Sequence, residues 1–297
     1  MVIVVGMFTL GAQAAPDGHR DTIRYASVKG CGAVPCGDWR LVTHHGRVVP
    51  LKEAQVRPLD EKGKPLPVGT VPLTVGGDGT KAAYFRKSGQ LAVRTFGGPV
   101  KVLPESALPA EDAQAIVSLK LSGDGATLAI TNWLTEQTGL YDTTTGRRLG
   151  LLPKAMFLGF SGDGEEVLVD NDDKLVVYDL SGRLLGAGHR PPDAIVDARL
   201  DALHANSTKV AVVRDEREVV VYDLNAGRVV KENPIKLPKG GWVDALDWTG
   251  DNRLTLHVST KGARITVLEH DVKSGATTVR ETYTLLKDTF TYTTCGG

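Results

Sequence analysis

Lys120 and Asp247 are the charged side chains whose positions in the sequence best suit chemistry. Lys120 precedes Leu121, and Asp247 precedes Trp248. Each of these two apolar residues ends a short predicted strand, and the two segments are similar. Because side chains alternate along a strand, both charged side chains point away from the apolar side, and strand twist can turn them toward a shared channel. The side chains on this face are Thr74, Ser118, Lys120, Gly159 and Asp247. A lysine with a single acid suits a hydrolase or lyase acting on a saccharide or lactone, whereas it does not make a metal cage.

No sequence motif of a catalytic or metal site occurs in the chain. Gly-x-Ser-x-Gly, His-Glu-x-x-His and calcium-loop spacings are all missing. In the acidic segment "VDNDDKL" from Val169, Lys174 stands where a calcium loop needs an oxygen ligand. The sequence therefore predicts no catalytic set, no metal and no cofactor, and it favours a binding function over an enzymatic one.

The chain has three cysteines, Cys31, Cys36 and Cys295. Four residues separate Cys31 from Cys36 in "GCGAVPCG", which is close enough for a bridge across a short loop. A bridge from either one to Cys295 would close a much longer loop and stabilise more, but proximity favours the local pair. A two-thiol metal clip is the alternative, although no second Cys or His pair stands at zinc spacing. We predict a disulfide between Cys31 and Cys36.

A turn rich in glycine and aspartate recurs along the chain. It reads "LSGDG" from Leu121 and "FSGDG" from Phe160, with looser copies "VGGDG" from Val75 and "WTGDN" from Trp248. Glycine tolerates positive φ and aspartate bonds its own backbone, so this turn can join two antiparallel strands. A phosphate-binding loop would instead lead into a helix with Lys-Ser or Lys-Thr. The turn is therefore predicted to be structural.

Alignment on this turn divides most of the chain into five units of four short strands. The units begin near Val71, Ile116, Met156, Ile195 and Val243. Their anchor residues Gly76, Ser122, Ser161, His204 and Thr249 are 46, 39, 43 and 45 residues apart, which is typical of propeller blades. Runs such as Val219 to Val221 are apolar at consecutive positions and need cover on both faces, which neighbouring blades provide. The residues that end the first strands are the predicted core: Val75, Leu121, Phe160, Leu203 and Trp248.

The units resemble the WD-repeat family and its looser, secreted bacterial relatives. The segment from Phe160 to Gly186 follows that family's order of strand, Ser-x-Asp-Gly turn, strand, Asp-containing loop, strand ending in an aromatic residue and Asp, and Gly turn. The likeness covers roughly Val71 to Leu286. The Trp of the family signature is tyrosine in three units: Tyr141, Tyr178 and Tyr222. The Gly-His pair occurs only at Gly188-His189, so the family's buried hydrogen-bond network does not carry over. The resemblance implies an all-β propeller of four-stranded antiparallel blades.

Residues 21–70 fit the repeat poorly but still predict strands, in "WRLVTHH" from Trp39 and "VRPLDEKGKPLPV" from Val56. With the five clear units they make six blades, and seven is the alternative count. An open ring would leave two sheet edges unpaired. We therefore expect "TFTYTTC" from Thr289 to pair with "TIRYASV" from Thr22 and close the ring. Residues 21–297 are predicted to form one propeller domain and a monomer.

The first residues predict export. Residues 1–14 hold an apolar run followed by Ala12-Gln13-Ala14, the pattern of a signal peptide cut after Ala14 or Ala15. No Lys or Arg precedes the run, so an upstream start or an ordinary buried strand stays open. The run is far shorter than the roughly 20 residues of a membrane-spanning helix, and no membrane span is expected. We expect a secreted or cell-envelope protein.

Composition and exposed aromatic residues together predict what the protein binds. Lys plus Arg equals Asp plus Glu at 35 each, which leaves no net field for nucleic acid. Blade connections and the loops between second and third strands open on one side of a propeller, the loop face. Trp133 and Trp242 stand in such loops and are predicted to contact a protein, peptide or saccharide, together with Asn132 and His189. The alternative is that each indole only covers the edge of a neighbouring blade.

Overall fold

The computed structural model describes residues 21–60, 62–66, 69–108, 114–171, 174–187, 189–196 and 200–296, and these residues form twenty-four strands. The first strands are β1 (Ile23–Cys31), β2 (Val34–Thr43), β3 (Val48–Leu51), β4 (Leu73–Val75), β5 (Lys81–Phe85), β6 (Leu91–Thr95) and β7 (Val100–Val102). The next are β8 (Val117–Leu121), β9 (Thr127–Asn132), β10 (Gln137–Asp142), β11 (Arg148–Leu151), β12 (Met156–Phe160), β13 (Glu166–Asp170), β14 (Leu175–Asp179) and β15 (Leu184–Ala187). The last are β16 (Asp201–Leu203), β17 (Lys209–Arg214), β18 (Glu218–Asp223), β19 (Arg228–Pro234), β20 (Trp242–Gly250), β21 (Arg253–Thr260), β22 (Arg264–Asp271), β23 (Thr277–Thr284) and β24 (Thr289–Thr294).

The strands form six antiparallel sheets of four, which are the six blades of a β-propeller. Blades 2 to 6 each consist of four consecutive strands, beginning with β4, β8, β12, β16 and β20. Blade 1 has the order β24-β1-β2-β3, so the C-terminal strand supplies its first strand. Val28 pairs with Thr291 and Tyr25 with Thr294. The predicted all-β fold, the six-blade count and the closure by the C-terminal strand are confirmed.

The helical segments of the described residues are single turns in blade connections. They are two 3₁₀ helices, Glu105–Ala107 and Gln114–Ile116, and the α-helix α1 (Asp193–Val196). Ile195 belongs to α1, so the strand predicted to begin near it starts later, at Asp201. Among the described residues, none of these helical turns has the length and apolar composition that a bilayer-spanning helix needs. The predicted signal peptide at 1–14 lies outside the described residues.

The recurring turn joins the first and second strands of a blade and packs against the preceding blade. Its last glycine has positive φ in three blades, at Gly79, Gly125 and Gly164. A β-carbon at Gly79 would lie 2.2 Å from the carbonyl oxygen of Ile23, in blade 1. Blade 5 has Ser207 at this place, with φ 52°, and its hydroxyl donates a hydrogen bond to Glu166 of blade 4. The turn therefore repeats because each copy must reverse the chain and approach its neighbour closely.

Aspartate has the predicted structural role in these turns. Asp124 Oδ1 accepts hydrogen bonds from the Ser122 hydroxyl at 2.6 Å and from the backbone N–H of Ala126 at 2.9 Å. Asp163 repeats the first of these with Ser161 at 2.6 Å. Each carboxylate thus fixes its own turn, as an Asx turn does.

The hydrophobic core lies between blades. Val219 to Val221 are at most 1% exposed, which confirms that both faces of a middle strand are covered. Four of the predicted core residues are buried: Val75, Leu121, Leu203 and Trp248. Phe160 is only partly buried, and its ring packs against the core between blades 3 and 4, 5.4 Å from the ring of Phe157. The prediction for Phe160 is corrected accordingly.

The first blade differs from its predicted strands after β3. The described residues 56–60 and 62–66 form no strand, only an isolated bridge between Leu59 and Pro65. Pro58 and Pro65 lack the N–H groups that a ladder needs, so the segment runs as a connection to blade 2. Gln55 fastens it by donating a hydrogen bond to the buried Gln114 at 2.7 Å.

The predicted disulfide is confirmed. Cys31 and Cys36 are bonded across the turn between β1 and β2, with a Cα–Cα distance of 5.6 Å. Cys295 is a free, buried thiol.

Candidate functional site

The antiparallel order of each blade divides its connections between two faces. Blade connections and the loops between second and third strands lie on the loop face. The recurring turns and those between third and fourth strands lie on the opposite face, named here the turn face. The two predicted tryptophans and the cavity-lining side chains Lys120 and Asp247 therefore belong to different ends of the ring.

Trp133 is displayed on the loop face, where 55% of its surface is exposed. Its neighbour Leu134 is 75% exposed. Asn132 is buried, and its Oδ1 accepts hydrogen bonds from the backbone N–H groups of Leu134 at 2.8 Å and Thr135 at 3.1 Å. The side chain of Asn132 thus shapes the loop that presents Trp133. Its contact with a partner stays a prediction.

Trp242, which is 41% exposed, begins the first strand of blade 6 on the same face. Trp133 lies in blade 3, so three blade positions separate the two indoles and they stand across the ring from each other. Met156 begins the first strand of blade 4, next to blade 3, and is 48% exposed. The structure therefore groups Trp133 with Leu134 and Met156 more closely than with Trp242.

His189 lies between the outer parts of blades 4 and 5. It is exposed, and its ring is close to Gly227, where an added β-carbon would lie 2.5 Å from His189 Cδ2. Gly227 belongs to the turn after β18. Of the four predicted contact residues, His189 is thus placed apart from both tryptophans. Of the acidic residues in the connection to blade 3, Glu105 is exposed, whereas Glu111 and Asp112 lie outside the described residues.

A cavity of about 320 Å³ occupies the turn-face end of the central channel. Three of the five predicted channel residues line it: Lys120, Gly159 and Asp247. Thr74 and Ser118 are not part of its wall. Thr74 is buried at 2% exposure and does not face an open channel, which corrects its prediction, whereas the position of Ser118 on the channel stays a prediction. Glycines of the recurring turns form the rim.

Asp201 is a cavity residue that sequence reasoning missed. It stands three positions before the anchor of its unit. The other four units have leucine at this position: Leu73, Leu119, Leu158 and Leu246. An aspartate at a position where every other unit has leucine was the signal that could have identified it, because a core position rarely accepts a carboxylate without a functional reason.

Burial raises the pKa of both cavity carboxyl groups. The pKa of Asp201 rises to about 7, chiefly through desolvation and secondarily through Asp170, while Lys120 opposes the rise. Desolvation raises the pKa of Asp247 to about 6, again opposed by Lys120. Both acids are therefore poised to exchange protons near neutral pH, as groups at binding and catalytic sites often are.

His257 and Cys295 complete the polar wall of the cavity. His257 is 4% exposed, and burial lowers its pKa to about 4, so the imidazole is neutral at pH 7. Burial raises the pKa of the Cys295 thiol to about 12. A thiol with so high a pKa is not an activated nucleophile. The enzymatic alternative on Lys120 and Asp247 stays a prediction.

Replacing Asp201 by Asn should stabilise the protein at pH 8 and leave it almost unchanged near pH 4. A folded-state pKa above the usual 3.8 means that the folded state binds the proton more tightly, so stability falls as pH rises from about 4 to 7. The full shift corresponds to at most about 4 kcal/mol, and partial exposure reduces the expected gain to about 1–2 kcal/mol. Urea unfolding at both pH values measures it.

Asp179→Asn is the control of opposite sign. The Ser181 hydroxyl, as the largest cause, lowers the pKa of Asp179 to about 2. This variant should therefore lose stability at pH 8. Equal pH profiles for wild type and Asp201→Asn would contradict the burial of this carboxyl.

Comparisons with known proteins show similarity of fold only. No protein-family model and no curated protein matches the chain. The crystal structure of a nidogen/laminin complex is similar at 10% identity, over 91% of this chain and 97% of that one, with a TM-score of 0.49. Kuenenia stuttgartiensis hydrazine synthase is similar at 14% identity, over 72% and 68%, with a TM-score of 0.44. Neither likeness assigns a family, and the propeller fold rests on the pairing of the chain's own strands.

Proposed function

We propose that this propeller is a secreted, non-catalytic binding module whose loop face holds a protein or peptide. One observation carries the proposal: Trp133, Leu134 and Met156 are 55%, 75% and 48% exposed on one face of adjoining blades. Large apolar side chains grouped on a surface are typical of protein contact sites. A saccharide is less favoured here, because it needs hydrogen-bonding side chains beside the aromatic ring and the neighbours of Trp133 in this group are apolar.

The loop that carries Trp133 is held in shape by backbone hydrogen bonds. The N–H of Trp133 donates to the carbonyl of Ile116 at 2.8 Å, which ties the loop to the 3₁₀ turn just before the blade's first strand. The N–H of Ala155 donates to the carbonyl of Glu136 at 3.1 Å, which ties it to the connection leading to Met156. A preformed loop loses little conformational entropy when a partner binds. This supports a docking role for the group.

Secretion is supported by two independent features. The bond between Cys31 and Cys36 is of a kind that persists in oxidising compartments. Residues 1–14 have the pattern of a signal peptide. The protein would then meet its partner outside the cytoplasm.

Replacing Trp133 and Leu134 by Ala should weaken partner binding at least tenfold while leaving the melting temperature within a few degrees. A central aromatic anchor typically contributes about 2 kcal/mol or more to binding, and exposed side chains contribute little to folding. The immobilised protein would be used to capture partners from culture supernatant, and each captured protein would then be purified and titrated against wild type and variant.

Leu184→Ala with Leu185→Ala is the matched control, since these side chains are 52% and 43% exposed on an outer strand. It should bind like wild type. Trp242→Ala, tested separately, measures whether the partner spans the ring. Equal titration curves for wild type and the Trp133 variant would refute the proposed docking group, and a large loss of melting temperature would show that Trp133 is a packing residue.

A further inference from the structure

The central cavity contains polar groups that no described residue satisfies. Lys120, Asp201 and Asp247 make no hydrogen bond or ion pair with any residue that the structure describes. His257 Nδ1 is buried and also has no partner among those residues, and His257 is only 4% exposed. Buried polar groups normally have partners, because leaving one unpaired costs free energy. We infer that the cavity binds a small, neutral ligand that carries several hydroxyl groups, such as a monosaccharide or cyclitol.

The mixture of donors and acceptors indicates hydroxyl groups. Asp201 and Asp247 can accept hydrogen bonds when ionised, whereas Lys120 can only donate them. A hydroxyl group does both, so neighbouring hydroxyls of one ligand can serve a carboxylate and the ammonium group together. The neutral imidazole of His257 adds one more position that can accept or donate, according to its tautomer.

The charge of the wall favours a neutral ligand. Lys120 and Arg280 line the cavity together with three acids, Asp78, Asp201 and Asp247, so charges of both signs are present and differ by one when all the acids are ionised. Within the described ranges, no three His, Cys, Asp or Glu side chains are grouped so as to hold a metal ion. A cationic ligand would be repelled by Lys120, and an anionic ligand would be repelled by the carboxylates.

The shape of the cavity also suits a small ring. Its volume of about 320 Å³ is near the lower end of the range for small-molecule pockets, about 300–1,000 Å³. Trp248 and Phe160 are among the residues of the wall, and the indole N–H of Trp248 has no partner among the described residues. The rim includes three glycines of the recurring turns, Gly77, Gly123 and Gly162, which carry no side chain that could narrow the opening at those positions.

Gly159 offers a way to fill the site. A β-carbon at Gly159 would have no neighbour closer than 3.9 Å, although the residue is buried in the cavity wall. Gly159→Leu should therefore occupy the cavity without distorting the strand. Gly186→Leu is the matched control, because Gly186 lies in an outer strand and a β-carbon there meets nothing within 4 Å.

Saturation-transfer NMR and titration calorimetry with D-glucose, D-galactose, D-mannose, N-acetylglucosamine and myo-inositol test the inference. At least one of these probes should bind wild type at pH 8. Its affinity should fall at least tenfold in Asp201→Asn and in Asp247→Asn, and binding should be lost in Gly159→Leu. Gly186→Leu should bind normally. Circular dichroism and thermal unfolding check that each variant is folded.

Three results would overturn the inference. The first is that none of the five probes binds. The second is that a probe binds equally to wild type and Gly159→Leu, which would place it elsewhere. The third is that glycine or calcium chloride, but no polyol, binds in a way that depends on Asp201 and Asp247. The Trp133 variant should keep polyol binding, because the cavity opens on the turn face and the proposed docking group lies on the loop face.

Discussion

Replacing Gly79 by Ala should lower the free energy of unfolding by about 3–5 kcal/mol, one of the largest effects expected from a single methyl group in this protein. Gly79 has φ +68°, a region that costs a residue with a β-carbon about 1–2 kcal/mol. The new β-carbon would also lie 2.2 Å from the carbonyl oxygen of Ile23, which is backbone and cannot rotate away. The two blades would have to separate and stretch the hydrogen bond from the Ile23 N–H to the Gly79 carbonyl, now 2.8 Å long.

Gly89→Ala separates the contact from the backbone strain. Gly89 has φ +83° and also ends a turn, with its N–H donating to the carbonyl of Arg86, but an added β-carbon meets nothing within 4 Å. It should lose only about 1–2 kcal/mol. Urea unfolding of both variants measures the difference, which is the cost of forcing blades 1 and 2 apart. Equal losses would mean that the recurring turn reverses the chain but does not join neighbouring blades.

The blades were predictable from the sequence because several local signals agree. The turns at Ser122 and Ser161 combine positive φ at glycine with an aspartate that bonds its own loop. The strands after them are apolar on both faces, so each needs a neighbour on either side. Residues 56–66 lack such agreement, because their apolar residues are separated by charged residues and prolines with no regular alternation.

The candidate sites were predictable only in part. Alternation along strands placed Lys120 and Asp247 on the cavity wall, since that rule depends on local geometry alone. The same rule failed for Thr74, which is buried, because alternation does not show which side chains the neighbouring blades cover. Asp201 was missed because the equivalent position is an apolar leucine in the other four units. The grouping of Trp133 with Met156 depends on which blades are neighbours, which a single loop does not reveal.

Ending the chain after Asp288 should abolish cooperative folding. The truncation removes β24, the first strand of blade 1, and leaves β1 with an unpaired edge facing the channel. It also removes the hydrogen bond from the Tyr292 hydroxyl to Asp244 of blade 6, 2.8 Å long, and the one from the Gly296 N–H to the carbonyl of Val75 in blade 2, 3.2 Å long. The lost pairing joins blade 1 to both neighbours. We expect the loss to approach the whole stability of a domain, about 5–15 kcal/mol.

A synthetic peptide of residues 286–297 should restore the fold when it is added to the truncated chain, because the other five blades and strands β1 to β3 are complete without it. Circular dichroism and urea unfolding, at increasing peptide concentration, measure the recovery, and a scrambled peptide of the same composition is the control. Binding energy then appears as folding energy, so the unfolding midpoint should rise with the logarithm of peptide concentration.

A truncated chain that unfolds cooperatively without the peptide would show that blade 1 does not need the C-terminal strand to close the ring. Closure would then have to come from direct packing of blade 6 on blade 1, where Tyr25 and Tyr283 stack with ring centroids 5.5 Å apart. A Tyr283→Ala variant of the truncated chain would distinguish that route, because it removes the stacked pair and leaves the strand ladder unchanged.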